Sequence, residues 1–127
     1  MTALLLVRRV PTTRLELTRT TARQWDAALA GDTTVQWWEL VDPADDDSAP
    51  AAALAALRPD PVTVRLAGVA TAPGERDRAV QVVVALVDAL RATSARTLEA
   101  LPSTGLLGIL RDAGFRPGPD GREVVEL

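Results

Sequence analysis

Val80-Gln81-Val82-Val83-Val84-Ala85-Leu86-Val87-Asp88-Ala89-Leu90-Arg91-Ala92 admits two readings, and the choice between them decides the fold. The valine triplet at 82–84 favours a strand, because β-branched side chains fit a pleated surface. The length of the run and the recurrence of apolar residues at 80, 83, 84, 87 and 90 favour a helix. Length decides, since strands are usually about five or six residues long. The helix is apolar nearly all round, with Gln81, Asp88 and Arg91 as the polar exceptions, so burial against a sheet is expected.

Strands to supply that sheet are found on both sides. Val35–Val41, Ala51–Arg58 and Val62–Val69 read as an antiparallel meander, with Gly68 as a bulge or point of close approach. Leu4–Val7 reads as an opening strand, and Leu15-Glu16-Leu17 continues its alternation past the Pro11-Thr12-Thr13 break. Thr21 and Gln24 form a capping-box pattern for a short helix carrying Trp25, Ala28 and Leu29 and stopping at Gly31. Beyond the long helix, Arg96–Leu101 reads as a strand. Ser103 is placed to cap a helix with Leu106, Leu107, Ile109, Leu110 and Ala113 on it, ending at Gly114. The Pro117-Gly118-Pro119-Asp120-Gly121 cluster between Phe115 and Val124-Val125 predicts a closing hairpin. Residues 1–127 are expected to form a single compact domain.

Composition removes whole chemistries. The sequence holds no His, Cys, Tyr, Lys or Asn. It therefore offers no thiolate or imidazole, no Schiff-base amine and no ordinary zinc, copper or haem ligands, and no metal site is expected. Asp and Glu remain for acid–base work, helped by hydroxyls, water, Arg and backbone N–H groups. The net charge of −3 is unevenly spread. Residues 1–24 are basic, residues 25–60 carry eight acids against Arg58, and the remainder balances. No clustered basic face marks a nucleic-acid partner. The apolar runs at 3–7 and 51–57 are too short for a membrane span, and the first is not read as a signal peptide. A cytoplasmic protein is expected.

Two segments carry a family resemblance: Val69-Ala70-Thr71-Ala72-Pro73-Gly74-Glu75-Arg76 before the long helix, and Leu110-Arg111-Asp112-Ala113-Gly114-Phe115-Arg116-Pro117 after it. With the order strand, loop, long helix, strand, helix, Gly-Phe, hairpin, residues 64–127 resemble the acetyl-CoA-binding half of the GNAT acetyltransferase superfamily. The resemblance implies an α/β fold, a mixed and mostly antiparallel sheet with a long central helix and a second C-terminal helix. It implies acyl transfer from acetyl-CoA to an amine on a small molecule or peptide, with Val69, Ala70 and Thr71 along the thioester arm. The pyrophosphate loop corresponds to Arg76, Asp77, Arg78, Ala79, Val80 and Gln81, where unpaired N–H groups and the helix dipole favour an anion. Ala79 and Gln81 stand where the family keeps glycine or another small residue. Leu110, Ser103 and Ala67 stand at positions often held by tyrosine, asparagine and a carboxylate.

Glu39, on the strand after Trp37 and Trp38, is the remaining candidate for a general base, in a region that borders the acceptor groove in the family. Trp37 and Trp38 must point to opposite faces of the sheet, and one of them is available for a groove or for contact with a protein partner or second copy. The acidic 25–60 segment would suit a cationic acceptor. The alternative to an atypical N-acyltransferase is a non-catalytic interaction module that keeps the fold and has lost acetyl-CoA binding. Asp45-Asp46-Asp47 lacks the alternating ligands of a calcium loop and reads as a solvated turn.

Overall fold

The computed structural model describes residues 4–103 and 105–127. Seven strands form one sheet: β1 (Leu6–Arg9), β2 (Gln36–Val41), β3 (Ala53–Arg58), β4 (Thr63–Ala70), β5 (Thr97–Ala100), β6 (Arg116–Pro117) and β7 (Glu123–Glu126). Their spatial order is β1-β2-β3-β4-β5-β7-β6, antiparallel throughout except for the parallel β4–β5 pair. The predicted meander is β2-β3-β4, and the closing hairpin is β6-β7. Helices α1 (Leu15–Trp25) and α2 (Ala27–Ala30) cover one face, while α3 (Arg76–Arg91) and α4 (Leu106–Asp112) cover the other. No helix among the described residues is long and apolar enough to cross a membrane.

The Val80–Ala92 run lies in a helix that starts one turn earlier. Ala79, Val82, Val83, Leu86, Val87 and Leu90 are its buried positions, a stripe at 3.6-residue spacing. Removing each of the larger side chains from water contributes about 1.5–3 kcal/mol. They meet Leu40, Ala53, Ala55, Leu57, Val64, Leu66 and Leu98 of the sheet and Leu110 and Phe115 beyond it. Burial is confined to this stripe, and Val84 remains 44% exposed. On the other face Trp37, Val41, Leu54, Ala56 and Ala70 pack with Val10 and Ala22. Trp37 is buried there, whereas Trp38 packs against the α3-side core, its indole N–H donating to Gln36 Oε1 at 3.0 Å.

Three local expectations are corrected. Leu15-Glu16-Leu17 is not strand but the first turn of α1, and Thr21 is no cap: its hydroxyl donates back to the Leu17 carbonyl at 2.9 Å. The chain breaks instead at Asp26, whose carboxylate accepts from the Leu29 amide at 3.0 Å and starts α2. Ser103 makes no side-chain cap on α4; its carbonyl accepts from the Leu106 and Leu107 amides, and Gly105, at φ 87°, is the cap residue. The bulge falls beside Gly68, at Ala67, where the partner of β4 shifts from Ala56↔Gly68 to Leu57↔Leu66. Gly68 provides close approach, because a Cβ there would lie 2.9 Å from a Leu29 methyl of α2.

Candidate active site

The bulge and the parallel pair together open the sheet. β4 and β5 are matched from Thr63↔Thr97 to Leu66↔Ala100, where β5 ends. β4 runs on to Ala70, paired only with β3. The extra residue at Ala67 bends the strand, as bulges do, and places both Leu66 and Val69 on the α3-side core, with Ala67 and Ala70 on the other. Beyond Leu66 the β5-facing N–H and C=O groups of β4 therefore have no strand partner. A cavity of about 130 Å³ lies at this divergence, lined by Arg58, Arg65, Ala67, Glu99, Leu101 and Arg122 among others.

The strand continues into a turn with Gly74 at φ 81°, a conformation that disfavours a side chain. Helix α3 follows without a side-chain cap at Glu75. The amides of Arg78 and Ala79 both donate to the Glu75 carbonyl, at 3.0 and 3.2 Å. The amides of Gly74, Arg76 and Asp77 have no acceptor among the described residues. These open donors at the positive end of a 16-residue helix suit an anion.

The residues of the expected loop divide accordingly. Arg76 lies over Gly108 of α4, where an added Cβ would meet its guanidinium at 3.2 Å, and it pairs with Asp112 at 2.6 Å. Both side chains of that pair are half-exposed, so it contributes about 0–1 kcal/mol and its guanidinium is available to a stronger anion. Arg78 donates to Gln81 Oε1 at 2.9 Å, which engages the long amide with the helix's own arginine. Ala79 is buried and its amide is already bonded; Val80 and Gln81 lie deeper in the helix, half-buried. Val69 is half-buried on the α3 side, Ala70 is buried opposite Leu54, and the Thr71 hydroxyl donates to the Ala72 carbonyl at 3.1 Å.

Glu39 is not at this site. It is fully buried beneath α1, accepting from Arg8 Nε at 2.9 Å and from Arg14 Nη2 at 2.9 Å and Nε at 3.2 Å. Arg14, itself buried, also donates to the carbonyls of Asp47 and Ala49. A general base needs an open lone pair beside the reacting proton, and both Glu39 oxygens are taken by guanidinium groups. Its place is structural, tying β2 to the turn before α1 and to the β2–β3 loop. The acidic segment likewise contributes no acidic side chain to the cavity at the divergence. Asp26 caps α2, Asp32 pairs with Arg58, Glu39 is buried, and Asp42–Asp47 lie in the β2–β3 loop. In that loop the Ser48 hydroxyl and amide, both donating to Asp46, hold its carboxyl below the usual range. No group of metal-ligating side chains occurs among the described residues.

Glu99 is the carboxylate that borders the cavity, and the sequence reading missed it. Alternation on β5 puts Leu98 and Ala100 into the core and Glu99 on the opposite face. One oxygen accepts from Arg122 at 2.8 Å, while Oε1 has no partner among the described residues. Ala67 and Leu110 leave no acid or base of their own, and Leu110 is fully buried. A larger concavity, about 970 Å³, is lined by the end of β1, α1, the end of α2 and the start of β2, and it includes no residue of β3, β4 or β5.

No family model and no curated protein matches this sequence. Solved structures do. The chain is similar to an IAA acetyltransferase from Bacillus cereus, at 14% identity and TM-score 0.66 over 98% of this chain and 100% of that one. It is similar to a GNAT family acetyltransferase from Brucella melitensis solved with acetyl-CoA, at 13% identity and TM-score 0.68 over 99% and 90%. A GNAT family N-acetyltransferase from Escherichia coli, solved with CoA, gives 15% identity and TM-score 0.69 over 99% and 83%. At such identities the likeness is one of fold, and the fold expected from the sequence is the one found.

Proposed function

We propose that this chain, which has the fold of the GNAT acetyltransferases, transfers an acyl group from acyl-CoA to an amine at the β4–β5 divergence. The observation that carries the reading is the coincidence of three features along one path. These are unpartnered β4 backbone after Leu66, open amides at Gly74, Arg76 and Asp77, and a cavity bordered by a carboxylate with a free oxygen. Two of the similar structures were solved with CoA or acetyl-CoA, which supports the same donor here.

The residues fit that donor. The N–H groups of Gly74, Arg76 and Asp77, with the Arg76 guanidinium beside them, would hold the pyrophosphate. Backbone groups of Ala67–Ala70 would bond the pantetheine amides as a neighbouring strand would. When bound, the thioester supplies an activated acyl carbon. The acceptor nitrogen forms the new C–N bond as the C–S bond breaks; the proton it loses goes to Glu99 Oε1, directly or through one water. The released sulfur gains a proton from solvent. Holding amine and thioester in line supplies much of the rate, since positioning alone is worth about 7–11 kcal/mol in favourable cases.

Isothermal titration with acetyl-CoA tests the first half of this reading. Saturable binding is expected, with affinity falling on Arg76→Ala. Absence of detectable heat at high protein concentration would overturn it and leave the interaction-module alternative.

A further inference from the structure

Three arginines line the cavity at the divergence, against one carboxylate. The register sets Arg58 opposite Arg65 across β3–β4, and Arg65 opposite Glu99 across β4–β5. Like charges directly opposite one another on a sheet are destabilising, so the arginine pair needs negative charge from elsewhere. The chain supplies part of it: Asp32 pairs with Arg58, and Glu99 with Arg122. Arg65 is left over. It is exposed, it lines the cavity, and it makes no hydrogen bond or ion pair among the described residues. The Asp60 carboxyl is held low chiefly by the Val62 and Thr63 amides, with Arg65 adding the smallest part.

We propose that the Arg65 guanidinium, flanked by Arg58 and Arg122, binds a carboxylate carried by the acceptor, which is thus a free amino acid or a close relative. This rests on the transfer reading above and names its substrate class. A planar guanidinium takes a carboxylate through two parallel hydrogen bonds. The cavity of about 130 Å³ is small beside the roughly 300–1,000 Å³ of pockets that enclose a whole drug-sized ligand. It fits a compact charged group. Arg65 and Glu99 sit on adjacent strands, about 5 Å apart in backbone spacing. An amine presented to Glu99 and a carboxylate presented to Arg65 are therefore separated by only a few bonds. The cationic acceptor expected from the acidic 25–60 stretch is not supported, because no acid of that stretch lines the cavity.

The test pairs acceptors that differ only in the carboxylate, L-alanine against L-alaninamide and β-alanine against β-alaninamide, with acetyl-CoA and thiol release as the readout. The acid is expected to show at least tenfold higher kcat/KM than its amide in at least one pair. In Arg65→Gln that ratio should fall toward one through a higher KM for the acid, and Arg65→Lys should recover part of it. Equal or higher kcat/KM for the amides, or a ratio unmoved in R65Q, overturns the inference while leaving acyl transfer standing. If no amine yields thiol, the transfer reading fails, and the carboxylate site is judged by binding alone. The Arg65 Nε–H resonance is then followed during titration with N-acetyl-β-alanine, N-acetyl-β-alaninamide and inorganic phosphate. A saturable shift with the acid only supports the site. No shift, or a shift with phosphate only, overturns it.

Discussion

Glu99 differs from Glu39 in what surrounds the carboxylate, and the roles proposed for them follow from that difference. Glu99 keeps one oxygen free beside a cavity; Glu39 has both oxygens occupied under a helix. Glu99→Gln should lower kcat by about a hundredfold while acetyl-CoA affinity, measured by titration, stays within about twofold. A variant with full kcat would remove Glu99 from proton transfer. Arg14→Met leaves Glu39 short of its buried partner, and breaking a buried pair typically costs about 3–5 kcal/mol. Urea denaturation should show a loss of that size; a loss below about 1 kcal/mol would mean the cluster is not holding α1 to the sheet. Neither role was legible in the sequence. Alternation puts each carboxylate on one face of its strand, but the partners Arg14 and Arg122 come from 25 residues before Glu39 and 23 after Glu99. Only the tertiary fold brings them together.

Element placement was more legible, and its failures share a cause. β2, β3, β4 and β5 are found within two residues of their expected ends, because each is a run of alternating or continuously apolar residues between turn signals. α1 was misread because Leu15-Glu16-Leu17 is too short to separate a period of two from one of 3.6, and Thr21 mimics a cap from mid-helix. The loop before α3 was placed one turn too late, which matters for the site. The amides at 79 and 81 lie within hydrogen-bonded helix; those at 74, 76 and 77 are open. Restoring the family's small residues with the double variant Ala79→Gly, Gln81→Gly should therefore not tighten acetyl-CoA binding. It should lower stability by about 2 kcal/mol, since each glycine costs about 0.8–1.0 kcal/mol in a helix interior. Titration and thermal melting check both outcomes, and a tenfold gain in affinity would show that side-chain bulk at these positions controls the site.

At the scale of the whole molecule, the topology followed from the order of elements together with the family resemblance, whereas the charge distribution did not carry over from chain to surface. The acidic stretch 25–60 disperses into a helix cap, two ion pairs and a loop. The arginines that line the cavity arrive from β3, β4 and the approach to β7, Arg58 from the acidic stretch and Arg65 and Arg122 from the remainder, whose charges balance. Segment sums of charge describe neighbours along the chain, and a sheet mixes them.

The parallel contact between β4 and β5 spans only four matched positions, yet β5, β7 and β6 all join the meander through it. It works as a seam between two leaves, with α3 as the spine and the free edge at Ala67–Ala70 facing outward. A molecule lodged between the leaves would grip both, so occupancy should rivet the C-terminal quarter of the chain to the rest, making the empty protein the looser of the two states.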